Sequence, residues 1–267
     1  MAVGDDELIE EFRAVMRPLA EPGRVGIALG GSRAKGRADT HSDYDFRIYA
    51  ESFAADDIAN VPAWPGFAAA MAKWEARGIR IDGVWARKIA DIDGMLDRWL
   101  RGDGTADELV WTIWGYHPLT DIASQTIIED DDGILAKWKA RLSVYPPALK
   151  RALIDKHMKF LRYWRGDYHY ESRVARGDAV FLAGLAAKLV HSLFQVLFAL
   201  NEIYYAGDGW NREMAARFAL TPPEFGARVT VALYPGDGPD RFERQHHTLL
   251  ELIDAVDALV AAQSSSR

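Results

Sequence analysis

Asp43 and Asp45 stand two positions apart in Asp43-Tyr44-Asp45-Phe46-Arg47-Ile48-Tyr49, a run whose aromatic and β-branched content reads as a strand. Residues at i and i+2 of a strand share a face, so both carboxylates project together. Two neighbouring carboxylates call for a cation, and hard oxygen donors of this kind suit Mg²⁺, which is held by one or two carboxylates plus substrate phosphates. Upstream, the apolar run from Val25 to Leu29 leads into Gly30-Gly31-Ser32. Glycines let backbone N–H groups approach an anion closely, because no Cβ intervenes and positive φ costs little, and Ser32 adds a hydroxyl donor. A phosphate cradle followed by a carboxylate pair is the arrangement expected for metal-assisted phosphoryl chemistry. Either half alone is weak: Gly-Gly-Ser is a common turn, and Asp-x-Asp is commonly a solvated strand face.

The elements that must position these residues can be read from periodicity. Leu8, Ile9, Phe12, Val15, Met16 and Leu19 recur at helical spacing, and Pro22-Gly23 ends that helix. A first strand is expected over Arg24 to Leu29 and a second over Tyr44 to Tyr49, with a helix from Gly66 to Ala76 between the second and a third strand, Ile79 to Ala86. The third strand carries Asp82, either a partner for the acidic pair or a strand-end carboxylate facing solvent. Helices are expected at Ala90 to Arg101, Thr105 to Trp114 and Ile134 to Leu142, with a loop at Gly115 to Asp121 and a short strand at Gln125 to Ile128. The acidic run Glu129 to Asp132 lacks the alternating ligands of a calcium loop and reads as a capped turn. After Tyr145-Pro146-Pro147 the spacing is helical from Ala148 to about Tyr168, from Gly177 to about Tyr205 and from Asp240 to Ala262, which places a domain boundary between residues 1–144 and 145–267. The expected fold is α+β: a mixed sheet with flanking helices, then an all-α bundle.

The motif from Gly30-Gly31-Ser32-Arg33-Ala34-Lys35-Gly36 to His41-Ser42-Asp43-Tyr44-Asp45-Phe46 resembles that of the DNA polymerase β-like nucleotidyltransferase superfamily. There an apolar strand, Gly-Ser, a spacer and Asp-x-Asp on the next strand follow in that order. Within the superfamily it looks most like the bacterial branch that holds the aminoglycoside and lincosamide adenylyltransferases, whose two-domain plan also matches. The resemblance implies a catalytic domain of nucleotidyltransferase type at 1–144 and a helical domain at 145–267 closing over nucleotide and substrate. It implies two Mg²⁺ ions, ATP or another nucleoside triphosphate as co-substrate, and transfer of a nucleoside monophosphate, AMP by preference, to a hydroxyl of a small acceptor such as an aminoglycoside, with release of pyrophosphate. In these terms Gly31 and Ser32 hold phosphates, Asp43 and Asp45 bind metal, and Asp82 is a third ligand or the base. Arg33 and Lys35 either add charge beside the cradle or are solvated loop cations. Lys188, with Lys156 second, is the candidate to meet the triphosphate from the helical domain, against a lysine snorkelling from a buried helix. Glu202 is a candidate general base, against a solvated helix-end carboxylate, and Asp178 is more simply a helix N-cap. Two rivals remain: nucleotidylation of a protein or RNA, and a nucleotide-binding regulator without turnover.

Composition narrows the field. Across 267 residues the formal net charge is -7, which disfavours a dominant nucleic-acid footprint. No cysteine is present, which removes disulfides, thiolate nucleophiles and cysteine-ligated zinc. The first residues lack the basic and apolar regions of a secretory signal, so a cytoplasmic protein is expected. The apolar stretch Ala179 to Leu200 carries Lys188, His191 and Gln195 and reads as a core helix rather than a membrane span. Sequence alone leaves the acceptor, the nucleotide base and the oligomeric state open.

Overall fold

Continuous apolar runs make central strands, and the first two strands show it. In the computed structural model, which describes residues 5–207 and 209–265, β1 (Val25–Leu29) is buried along its whole length and β2 (Tyr44–Ala50) nearly so. With β3 (Ile81–Lys88) and β4 (Thr126–Glu129) they form a mixed sheet of order β3-β2-β1-β4. β1 runs antiparallel to both β2 and β4, while β2 and β3 are parallel. The residues between β2 and β3 include α3 (Trp64–Glu75), a crossover of the kind a parallel pair requires.

One face of the sheet packs on α1 (Asp5–Met16) and α3. Phe12 of α1 stacks on Phe46 of β2 at 4.4 Å between centroids and meets Phe67 of α3 edge-on at 5.5 Å. Each such ring, fully withdrawn from water, contributes about 1.5–3 kcal/mol. The opposite face takes α6 (Ile134–Arg141), whose Trp138 meets Tyr49 edge-on at 5.0 Å. Gly26 of β1 admits this helix, because a Cβ there would stand 2.8 Å from Leu135 Cγ. Asp130 accepts from the N–H groups of Leu135 and Ala136, so the acidic run before α6 is the expected capped turn. Two shorter pieces complete this part: α2 (Gly31–Ala34) after β1, and α5 (Pro118–Ser124) before β4. The α4 helix (Ile89–Leu100) follows directly on β3.

The chain divides into two units, one formed up to residue 98 together with 118–144, the other by 99–117 and everything from 145 onward. Residues 99–117, expected within the first domain, therefore group with the second. The expected helix at Thr105 to Trp114 is absent: this stretch is irregular, with turns around Leu109 and Thr112. Gly102 and Gly115 bracket it in left-handed conformations, at φ +87° and +81°. Val110, Trp111 and Ile113 are exposed, so no buried face holds this apolar spacing in a helix.

The second unit is helical: α7 (Pro147–Arg165), α8 (Tyr168–Arg176), α9 (Ala179–Leu200), α10 (Asn211–Ala215), α11 (Phe225–Leu233) and α12 (Arg241–Ser265). By length and composition α9 could cross a membrane. Its residues 192–200 are instead wholly buried at the centre of this unit's core, among residues of α7, α11 and α12. Asp178 accepts from the Phe181 N–H, which makes it the N-cap of α9. The α+β class expected from the sequence is the class observed.

Candidate active site

The carboxylates come together at the sheet through two local devices. The first is the glycine turn that ends β1. Gly30 donates its N–H to the Asp45 carbonyl at 2.8 Å, and Gly31 adopts φ +64°. A Cβ on Gly31 would stand 1.7 Å from Asp45 Oδ2. Glycine is therefore demanded twice, by backbone conformation and by close approach. The cradle and the carboxylate pair, separated in sequence, are in contact.

The second device is a bulge between β2 and β3. Tyr44 pairs with Ile81 and Phe46 with Val84, so Asp82 and Gly83 together oppose Asp45. Gly83 takes φ +82°, which accommodates the extra residue. Burial raises the Asp45 carboxyl above the usual carboxylate range, and the nearby charges of Asp43, Asp82 and Asp121 push the same way against Arg47. Asp82 is an exposed residue, yet partial withdrawal of its carboxyl from water and then the charge of Asp43 raise it as well. The structure thus brings Asp43, Asp45 and Asp82 within electrostatic reach of one another. Among the described residues, no three His, Cys, Asp or Glu side chains gather tightly enough to form a metal-ligating cluster by themselves.

Two residues of the site were not singled out from sequence. Arg47, buried in β2, places Nε 3.1 Å from Asp121 Oδ2 and Nη2 3.6 Å from Asp45 Oδ1, and Nη1 donates to the Phe46 carbonyl at 3.1 Å. Asp121 lies on α5, where a loop was expected. An arginine in a buried strand needs a carboxylate partner, and that was the available signal.

The predicted cations behave differently from one another. Arg33 donates Nε to the Asp43 carbonyl at 2.8 Å and Nη2 to the Ser42 carbonyl at 3.0 Å, and its guanidinium lies 3.8 Å from the Tyr44 ring centroid. Its fork fixes the backbone that presents Asp43, so the role visible here is positional. Lys35 is partly buried, which lowers its pKa, while Asp121 and Asp45 act to raise it. Among the described residues neither the Lys35 ammonium nor Ser32 Oγ has a hydrogen-bond partner.

In the helical unit, Lys188 is exposed on α9 and borders a pocket shared with Lys156. Glu202 follows the end of α9 with φ +57°, and its Oε1 accepts from Lys150 Nζ at 2.9 Å. Lys150, itself buried, also donates to the Leu200 carbonyl at 3.2 Å. Glu202 is thereby part of the closure of a helix C-terminus.

A family model described as a domain of unknown function (DUF4037) matches residues 111–211. That stretch leaves Gly31, Asp43, Asp45 and Asp82 outside it. No curated protein sequence matches this chain. Among solved structures the chain is similar to the crystal structure of a nucleotidyltransferase-like protein from Exiguobacterium sibiricum, at 12% identity and a TM-score of 0.47, over 96% of this chain and 75% of that one.

Proposed function

We propose that this protein is a Mg²⁺-dependent nucleotidyltransferase that moves a nucleoside monophosphate, AMP from ATP, to a hydroxyl of a small acceptor and releases pyrophosphate. The observation that carries the reading is the contact between the Gly31 turn and the Asp45 carboxylate, with Asp43 and Asp82 close enough to raise its pKa. Carboxylates that burial and mutual repulsion destabilise gain most from a divalent cation. The oxygen-only donor set fits Mg²⁺, with Asp43 and Asp45 as its protein ligands, Asp82 beside them, and substrate phosphates as the remaining donors. A second ion would share the same carboxylates. Bound there, Mg²⁺ would neutralise charge developing on the α-phosphate.

The chain's own residues supply the rest. Gly31 and Ser32 receive the terminal phosphates, where the backbone N–H groups of the turn and the unpartnered Ser32 hydroxyl are the donors. Lys35 adds a cation beside them. Asp82 is the residue in this unit best suited to take the proton from the attacking hydroxyl, because its raised pKa brings it nearer a general base's working range. The acceptor oxygen bonds to the α-phosphorus as the bond to the bridging oxygen breaks, and pyrophosphate leaves with that electron pair. Glu202, occupied by Lys150, is the weaker candidate for the base. Cytoplasmic location and absence of nucleic-acid or membrane partners belong to the same reading.

Transfer of label from α-labelled ATP with Mg²⁺ tests it, using a panel of hydroxyl-bearing small molecules, proteins and tRNA, with Asp43→Asn Asp45→Asn as control. Label on a small molecule, lost in the control, supports the reading. Label on protein or RNA would favour the macromolecular alternative, and absence of MgATP binding would end the proposal.

A further inference from the structure

Arg47 and Asp121 lie outside the motif that carries the resemblance, yet the structure packs them directly against it. Both side chains are buried. Gly30 rests on the pair: a Cβ there would stand 3.1 Å from Arg47 Cζ and 3.1 Å from Asp121 Oδ1, while one on Gly31 would collide with Asp45. The glycine turn, the ion pair and Asp45 therefore share one corner of the sheet.

Asp121 is firmly carried. Its helix, α5, buries Leu119 and Ile122, and Lys139 of α6 donates to the Ala123 and Gln125 carbonyls at 2.8 and 2.7 Å, which closes the helix's C-terminal end. The Arg47 guanidinium is in turn fastened by two ordinary hydrogen bonds, Nε to Asp121 Oδ2 and Nη1 to the Phe46 carbonyl, both at 3.1 Å. Nη2 leans toward Asp45 Oδ1 but stops at 3.6 Å, within ion-pair range and beyond hydrogen-bond length. A rigid planar fork held at two points does not close on a third. Burial lowers the Lys35 pKa, and Asp121 is foremost among the charges that act to raise it, so this carboxylate also faces the second cation of the corner.

We propose that Asp121 is a positioning residue for metal binding: it ties Arg47 back from Asp45, so that the acidic pair accepts a divalent cation instead of an internal salt bridge. The inference rests on the nucleotidyltransferase reading, in which Asp43 and Asp45 are metal ligands. In the metal-free protein Arg47 tempers the repulsion among Asp43, Asp45 and Asp82. Toward an arriving cation it is a competitor, and Asp121 is the group that neutralises it. With Asp121 gone, the charge of Arg47 would fall on Asp45 undivided.

The test is titration of the full chain with Mn²⁺ in the absence of nucleotide, read from the electron paramagnetic resonance signal of the free ion. Asp43→Asn Asp45→Asn defines what binds elsewhere. Asp121→Asn is expected to weaken binding about 10–100-fold, the usual scale for a residue that acts on a metal ligand from behind. Arg47→Gln is expected to tighten it. Arg47→Met Asp121→Leu, which removes both charges together, is expected to return the affinity to near the parent value. A residue that merely supports the fold would weaken binding in all three variants, and melting temperatures in chelator identify any variant that does not fold. Unchanged affinity in Asp121→Asn overturns the inference. So does weaker binding in Arg47→Gln, a result that stands even if Asp121→Asn does not fold. If the parent binds no more Mn²⁺ than the Asp43→Asn Asp45→Asn control, the nucleotidyltransferase reading fails with it, whereas a parent that binds and an Asp121→Asn variant that binds equally remove this inference alone.

Discussion

Arg47 Nε lies 3.1 Å from Asp121 Oδ2, both side chains being about nine-tenths buried, and the same guanidinium reaches Asp45 at 3.6 Å. One cation is thus shared between a carboxylate on α5 and a carboxylate of the acidic pair. Asp121→Asn removes one of the two carboxylates that hold Arg47 and should lower the unfolding free energy by roughly 1–3 kcal/mol, the cost of weakening a hydrogen bond to a buried charge. Replacing both partners, Arg47→Met with Asp121→Leu, should cost less than the sum of the single changes. Denaturant titration of the cycle measures this. Additive costs would show that the pair is not coupled.

Gly31 and Gly36 share the same φ, +64°, but differ in their surroundings. Nothing lies within 4 Å of a Cβ on Gly36, whereas a Cβ on Gly31 collides with Asp45. Gly36→Ala should therefore cost only left-handed strain, about 1 kcal/mol, and leave transfer near the parent level. Gly31→Ala should also displace the Asp45 carboxylate and reduce transfer at least ~100-fold, the scale of a misplaced reacting group. Similar activity in the two variants would disprove the argument from contact.

The raised Asp45 carboxyl gives a stability prediction with a definite sign. A group whose folded pKa exceeds its unfolded one stabilises the fold at pH below the unfolded value, near 4, and loses that contribution as pH rises through the folded value. Without metal, Asp45→Asn should therefore raise the melting temperature at pH 7 by about 2–4 °C, if its charge costs on the order of 1 kcal/mol. The gain should vanish at pH 3. Saturating Mg²⁺ should stabilise the parent more than the variant. A variant that melts lower than the parent at neutral pH without metal would contradict the assignment.

His157 predicts the opposite slope. Its pKa is lowered to about 3, so the folded protein holds it neutral while the unfolded chain takes up a proton below about 6.5. The stability from this group is complete above that pH and is lost as acidity increases toward pH 3. His157→Gln should flatten the fall in melting temperature between pH 6 and pH 4. An unchanged slope would mean that His157 already protonates in the folded state.

What was legible in the sequence was what is local. Gly30-Gly31-Ser32 and Asp43-Tyr44-Asp45 announce a turn and a strand from composition, and α7, α9 and α12 from spacing, because each pattern is written within one element. The contact between Gly31 and Asp45 follows from strand pairing and was visible only as a familiar order of residues. Asp121 and Arg47 escaped, because their partnership joins residues 74 positions apart and neither has a local pattern. The stretch 99–117 misled for a different reason. Leu109, Val110, Trp111 and Ile113 have apolar spacing, but Val110, Trp111 and Ile113 have no core to cover, and glycines at 102, 104 and 115 break the run. Arg33 has the type and place of a phosphate ligand, yet two carbonyls take its donors.

The bulge at Asp82 and Gly83 makes the sheet a gauge. Tyr44 opposite Ile81 and Phe46 opposite Val84 are fixed points on either side of it. The exposed turns before α3 can change length without moving those points, since the chain only has to return to the same start of β3, whereas α3 itself is held by Phe67 and Trp74 in the core. A deletion of one residue between Ile81 and Val84 has no such freedom: it removes the bulge and leaves a single residue opposite Asp45, so Asp82 is either lost or shifted against its partner. The apolar area of the core would be almost unchanged, yet the third carboxylate would be lost or displaced. Length variation in this protein should therefore be absorbed in the crossover, while the two residues of the bulge remain a fixed interval between charges.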